Sequence, residues 1–369
     1  MRRRKKQITI ENLEDLKNLE IISLQCPQVK VIEFTAYEPF FSEALSILKR
    51  NLKCIEHMKL DEGFSYENLF QITQLFDLKS LRLEMSILSE MNGITDNCLS
   101  TLLSRLSKLE ALHLVYFDTF QFRNTINSLS SMHYLKDLTL DCIEISKNEF
   151  SFLLKEKGKS LERLCVVNEM ALDDASFYLQ AIFDNCTKLE FLHFSFVYSQ
   201  VTNFIIVNIP TLIELSLFLT HCKLSRESDG LQNLQKLRLS IEEQTNAEFF
   251  HLLSLCPALK SLSIKIASSL RPSEKTIEAI ASLINLKMIE FEAFEHLDYV
   301  IQIITSIQNC RHFVFRKPLP EAFFLRIIEA FEEIANKRSN ESFILKLYSR
   351  RDLLRPLPPN LKIKYLVDK

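Results

Sequence analysis

The 369-residue sequence predicts an α/β solenoid, a single curved stack of about thirteen strand–helix units. Parallel strands would line the concave face and helices the convex face. Three observations predict it. A short apolar motif recurs along nearly the whole chain, each copy ends in strand-like alternation, and the segments between copies carry helical spacing.

The motif is LxxLxL, with Leu replaced at some positions by Ile, Val, Met, Phe or, once, Cys. Its copies start at Val29, Ile55, Leu78, Leu109, Leu135, Leu161, Leu189, Leu212, Leu234, Leu259, Leu286 and Cys310. The intervals run from 22 to 31 residues. "LKSLRL" (78–83), "LEALHL" (109–114), "LKDLTL" (135–140) and "LQKLRL" (234–239) show the regularity. Within each copy the last two apolar residues are two apart, so both point to one face of a short strand. "QITI" at 7–10 alternates in the same way and reads as a capping strand ahead of the first copy.

Between strands, Leu99, Leu102, Leu103 and Leu106 fall at i, i+3, i+4 and i+7, one stripe of an amphipathic helix. Ser146–Glu149 and Thr245–Glu248 match the S/T-x-x-E capping box that starts a helix. The unit is therefore strand, turn, helix, turn. Connections of this length through a helix require parallel neighbouring strands, and strands are narrower than helices, so the stack must curve with its strands inside. At roughly 4.8 Å per strand, the inner arc would be on the order of 60 Å.

These residues resemble the leucine-rich repeats of the ribonuclease-inhibitor-like kind, over roughly residues 7 to 350. "GITDNCLSTLLSRLSKLEALHL" (93–114) resembles the cysteine-containing repeats common in F-box proteins: Ile94, Thr95, Asp96 and Leu99 match that pattern, with Asn97-Cys98 in place of its x-Gly. The Cys-x-x-apolar lead into the strand at Cys26, Cys186 and Cys256 matches as well. Most copies lack the Asn or Cys that the pattern places after the strand; "LTLDC", ending at Cys142, comes nearest. The resemblance implies a protein-interaction scaffold and, more narrowly, a substrate receptor that docks a cullin-ligase adaptor. A regulator or effector unrelated to ubiquitination is the alternative.

The expected organisation is a disordered basic start at 1–6 ("MRRRKK"), a repeat array at 7–350, and a C-terminal cap or tail at 351–369. With the capping strand at 7–10, no room is expected for an F-box before the repeats. "LPEAFFLRIIEAFEEI" (319–334) superficially resembles an F-box start, but "SFILKLYS" (342–349) then alternates as a strand, so Pro320 is read as opening a connecting helix.

Composition narrows the chemistry. A chain with 47% hydrophobic and 25% charged residues folds as a soluble globular protein. Only four glycines are present, at 63, 93, 158 and 230, and no phosphate-cradling glycine loop can be written from them. The formal net charge of −2 gives no reason to expect a nucleic-acid or membrane partner, and no apolar run is long enough to span a bilayer. Nine cysteines without a CxxC, and no secretory leader, point to free thiols in a reducing compartment. The expected location is cytoplasmic, with nuclear entry the alternative that the basic start allows. None of the eight histidines forms a close ligand pair and no GxSxG elbow occurs, so neither a metal, a cofactor nor enzymatic activity is expected.

Function should then sit on the strand positions that face away from the core. Charges dominate the two ends of these columns, whereas the middle presents His113, Val115, Cys165, Val167, Phe191, His193 and Phe218. An apolar and aromatic cluster rimmed by charge has the make-up of a protein-binding hot spot. These seven residues are the expected protein-binding site, used by a monomer.

Overall fold

A computed structural model describes residues 7–35, 40–61, 64–75, 77–85, 94–116, 122–143, 145–168, 175–225, 228–241, 251–266, 274–293, 297–348 and 356–366. The basic start, the Thr245–Glu248 capping box and His296 lie outside the described residues. The chain divides into two compact units, residues 1–170 with 185–189, and residues 171–184 with 190–369.

In the first unit, seven strands alternate with six helices: β1 (Gln7–Ile10), α1 (Leu13–Gln25), β2 (Val31–Phe34), α2 (Phe40–Asn51), β3 (His57–Asp61), α3 (Tyr66–Leu75), β4 (Ser80–Glu84), α4 (Asp96–Arg105), β5 (Ala111–Val115), α5 (Arg123–Ser131), β6 (Asp137–Asp141), α6 (Lys147–Lys157) and β7 (Arg163–Val167). Each strand pairs in parallel with the next in chain order. Successive helices from α1 to α6 pack on one another.

The second unit holds α7 (Ser176–Asn185, without its last residue), β8 (Phe191–Phe204), β9 (Glu214–Leu224), β10 (Lys236–Ile241), β11 (Ser261–Ile266), α8 (Glu274–Ala281), β12 (Met288–Ala293), α9 (Leu297–Ser306), β13 (His312–Phe315), α10 (Glu321–Lys337), β14 (Phe343–Tyr348) and β15 (Leu361–Leu366). Its strands β8 to β15 are again parallel neighbours in chain order. Helix α10 begins directly after Pro320 and leads into β14, as a connector does. This consecutive parallel β/α order, within each unit, is the leucine-rich repeat solenoid fold.

In all twelve motif copies the strand begins two residues after the motif start. The three apolar positions form the core: the first is at most 2% exposed in every copy, and the strand pairs such as Leu112 and Leu114 or Leu262 and Ile264 are buried beneath the helices. Close aromatic contacts thicken that core: Phe194 stacks on Phe196 at 4.4 Å, and Phe313 meets Phe331 edge-to-face at 4.8 Å.

One expectation needs correction. Among the described residues no helix follows β8 or β9: residues 205–213 are irregular, and β8 and β9 instead run to 14 and 11 residues. These are the two shortest spacings after Leu189, 23 and 22 residues; the connection after β8 is also rich in β-branched residues and crossed by Pro210, both of which disfavour a helix. The register also shifts once, where a bulge after Ile264 pairs Lys265 with Ala293.

The Ile94-Thr95-Asp96 signature has a mechanical explanation. The Thr95 hydroxyl accepts from the Cys98 amide (3.3 Å) and caps its own helix α4. The Asp96 carboxylate accepts from the amides of Asn124 (2.7 Å) and Thr125 (2.8 Å), at the start of α5, whose N-cap Phe122 offers no side-chain acceptor. One repeat therefore caps the next. The capping box at Ser146 and Glu149 forms as expected.

A second inter-repeat device was not anticipated. In the second unit, three motif copies carry an asparagine just before the first motif residue, which donates its side-chain N–H to a carbonyl about one repeat earlier: Asn233 to Pro210 (2.8 Å), Asn285 to Pro257 (3.1 Å) and Asn309 to Ile284 (2.9 Å); Asn360, directly before β15, donates likewise to Ala335 (2.9 Å). In the first unit that row holds Cys54, Asp77, Lys108, Tyr134 and Ser160; Lys108 instead pairs with Asp77 at 2.6 Å.

Candidate functional site

The face of each sheet opposite the helices carries the alternate strand positions. In the first unit, one row aligns Glu33, Lys59, Arg82, His113, Thr139 and Cys165 in direct register. Beside it run Asp61, Glu84, Val115, Asp141 and Val167.

His113 and Cys165 are half-buried and flank Thr139 on adjacent strands. The Thr139 hydroxyl lies 2.9 Å from His113 Nδ1, and His113 Nε2 faces Asp137 at 4.0 Å. Asp137 also pairs with Arg163 at 3.4 Å. Burial lowers the His113 pKa; Asp137 opposes this, while Arg82 and Arg163 reinforce it. The imidazole is accordingly neutral near pH 7. Burial, with the nearby charges of Asp141 and Asp137, pushes the Cys165 thiol up to about 12. A thiol held protonated at neutral pH is a poor nucleophile.

Val115 departs from the expected role of exposed anchor: it is 2% exposed and completes the wall of the sheet. Val167 is half-buried. Toward β3 and β4, Lys59 pairs with Asp61 (2.5 Å) and Arg82 with Glu84 (2.8 Å), two residues along the same strand. Lys59 and Arg82 stand in register as like charges, and each carries its own counterion.

In the second unit, the corresponding row reads His193, Ser216, Arg238, Ser263, Glu290, Val314, Lys346 and Lys364. Phe191, His193 and Phe218 are all half-buried on this face. The His193 and Phe218 rings meet at 5.3 Å, and the Arg238 guanidinium lies 5.1 Å from the centre of the Phe218 ring, a cation–π contact. Because His193 and Arg238 are the two in-register neighbours of Ser216, the Phe218 ring between them roofs that serine. Ser216 is 4% exposed, and its hydroxyl has no hydrogen-bond partner among the described residues. Burial, then the charge of Arg238, lowers the His193 pKa.

Arg238 is held on its other side by Glu292, which also accepts from Ser263 Oγ (2.7 Å). Burial alone would raise the Glu292 pKa; the hydrogen bonds from Arg238 and Ser263, with the charges of Arg238 and Arg316, outweigh it and bring it below the usual value. Glu290 in turn receives Arg316 at 2.9 Å. The result is an aromatic patch, His193–Phe218, bordered by an ordered Arg–Glu network.

Sequence reasoning named His193 and Phe218 but passed over Arg238, Ser216, Asp137 and Thr139, because it selected apolar residues. Register was the available signal: all four occupy the open face on strands next to those chosen.

A separate groove of about 560 Å³ opens in the first unit on the loops that lead into the strands, lined by Lys30, Lys53, Cys54, Glu56, Asp77, Lys79, Lys108, Glu110 and Tyr134. Glu56 bridges Lys30 (2.6 Å) and Lys79 (3.3 Å) along its wall. Among the described residues, no group of three His, Cys, Asp or Glu side chains could hold a metal ion, and no helix is long and apolar enough to cross a membrane.

No family model matches the chain, and no curated protein does. Among solved structures, the TLR13–ssRNA13 complex is 17% identical with a TM-score of 0.45, covering 94% of this chain and 52% of that one. The yeast Rad7 and Elc1 complex is 13% identical with a TM-score of 0.40, covering 95% and 92%. The Drosophila Toll–Spatzle complex is 12% identical with a TM-score of 0.38, covering 87% and 51%. The chain spans about half the length of the TLR13 and Toll chains it matches. The fold itself rests on the chain's own strand register: a leucine-rich repeat solenoid.

Proposed function

We propose that the chain is a protein-interaction scaffold that binds a partner protein through the open face of its strands, without catalysis. The observation that supports this most is the His193–Phe218–Arg238 stack. A half-buried aromatic held between an imidazole and a guanidinium is preorganised, so little side-chain entropy is lost when a partner covers it. Aromatic and arginine anchors inside a polar rim carry most of the energy of protein interfaces. On the first unit, His113, Cys165 and Val167 offer a second, smaller contact region.

The test is partner capture by wild-type protein and by Phe191→Glu and Phe218→Glu variants whose circular dichroism is unchanged. Loss of a wild-type partner with the Phe218→Glu variant supports the reading; retention of every partner by both folded variants overturns it. The narrower role of substrate receptor in ubiquitin ligation rests on the resemblance of Ile94-Thr95-Asp96 to repeats of F-box proteins. A cullin adaptor added to the same capture tests it: failure to bind the adaptor, with other partners recovered, removes that role and leaves a regulator or effector unrelated to ubiquitination. Action in the cytoplasm is part of the same proposal.

A further inference from the structure

On the open face, in-register cations elsewhere come with their own acids: Lys59 with Asp61, Arg82 with Glu84, Arg238 with Glu292, Arg316 with Glu290. The last two described strands break this rule. Lys346 on β14 and Lys364 on β15 stand directly opposite one another, at a strand spacing of about 4.8 Å. The positions two residues on, which supply the acid on β3 and β4, are Tyr348 and Leu366. Lys362 adds a third cation on the same face of β15, and it and Lys364 are exposed while Lys346 is half-buried. Among the described residues, none of the three has an acidic partner. Like charges placed opposite each other across a strand pair destabilise the sheet, so the fold gains nothing from this arrangement. Lysines that shield a sheet edge from aggregation would explain β15, but Lys346 lies one strand inward.

We propose that the open face of β13–β15 is a second recognition surface, which takes an acidic segment of a partner protein. Carboxylates laid across Lys346, Lys362 and Lys364 relieve the repulsion that the free protein carries. Ile344, half-buried on the same face between these lysines and β13, gives a peptide an apolar foothold that a phosphate backbone would not use. The formal net charge of −2 likewise supplies no general attraction for nucleic acid. The surface goes beyond the aromatic patch and stands without it, since its residues and test are separate.

The test is fluorescence anisotropy with labelled octaglutamate at low salt, with oligothymidylate of ten nucleotides as the competing probe. Wild-type protein is expected to bind octaglutamate saturably, and binding should weaken steeply with salt. Lys346→Glu/Lys364→Glu should lower the affinity more than tenfold, Lys364→Gln should lower it less, and Phe218→Glu should leave it unchanged. Lys364→Glu alone is expected to raise the melting midpoint while weakening binding, because it converts a repulsive pair into an attractive one. Absence of saturable octaglutamate binding, equal binding by the double variant, a lowered midpoint for Lys364→Glu, or tighter binding of oligothymidylate would each overturn the proposal.

Discussion

Asn360 stands directly before β15, and its removal tests whether side-chain amide donors help hold one repeat on the next. Its side-chain amide lies 2.9 Å from the Ala335 carbonyl, 3.2 Å from Arg338 O and 2.9 Å from Glu341 O. Two N–H donors are thus shared among three carbonyls at and just beyond the end of α10, where helix geometry leaves carbonyls without partners. A net hydrogen bond contributes about 1 kcal/mol, and a desolvated carbonyl left without a donor costs about 1–3 kcal/mol. Asn360→Ala should therefore cost about 2–3 kcal/mol in urea unfolding followed by circular dichroism. Asn360→Asp has the same shape but no donors, and it aims a carboxylate at the same three oxygens, so it should cost more than alanine. Amide exchange should accelerate first at Phe343, whose N–H donates to Asn360 O at 2.8 Å. A loss below about 0.5 kcal/mol for alanine, or equal losses for alanine and aspartate, would show that the donors do not hold the repeats together.

Four further outcomes are expected. Asp96→Ala should cost about 1–2 kcal/mol, because the amides of Asn124 and Thr125 lose their cap; Asn124 exchange in hydrogen–deuterium measurements should speed up accordingly. Gly158→Ala should cost roughly 1–3 kcal/mol, since a Cβ there would lie 2.5 Å from Leu154 O and 2.7 Å from Asn185 O, both backbone atoms that cannot swing away. His113 and His193 have folded pKa values below the usual 6.5; the unfolded chain binds the extra protons, so stability is intact above about pH 6.5 and declines as pH falls below it. His113→Gln with His193→Gln should flatten that decline in melting curves taken from pH 7.5 to 5. Maleimide should label exposed Cys54 first, while Cys186, Cys256 and Cys310, fully buried with thiols pushed up to about 12, react only in denaturant.

Most of the scaffold was legible in the sequence because one geometric constraint repeats. The residue that opens each LxxLxL is buried in every copy, and two residues later the strand starts, so the row from Glu33 to Cys165 could be aligned by counting. Where spacing shrank to 22 and 23 residues, counting still found the strands but not the loss of the helices, since a short apolar run does not distinguish a long strand from a helix. The asparagine row was visible as "QNL", "INL" and "QNC", yet it stands before the strand, where no acceptor can be named until the preceding repeat is placed. The site was less legible. His193 and Phe218 could be selected by side-chain type, but Val115 has the same type and register and is sealed from solvent. The motif fixes which face a residue takes, but not how far its neighbours cover it.

A repeat array supplies its own standard for what the fold alone requires, because the same position is solved a dozen times. At the row that includes His113 and Arg238, the structural solutions are short hydroxyls, compensated charges or apolar contacts: Thr139 bonds His113, Ser263 bonds Glu292, Arg316 bonds Glu290. Two positions in that row meet none of these conditions. Ser216 buries a hydroxyl without a partner among the described residues beneath the Phe218 ring, and Lys346 faces Lys364 without an acid. Each lowers the stability of the free protein and lies on the face that the helices leave open. Stability forgone at positions that the rest of the row satisfies is what a contact absent from the free chain would recover. For the lysine pair, the acidic segment proposed above would supply that contact.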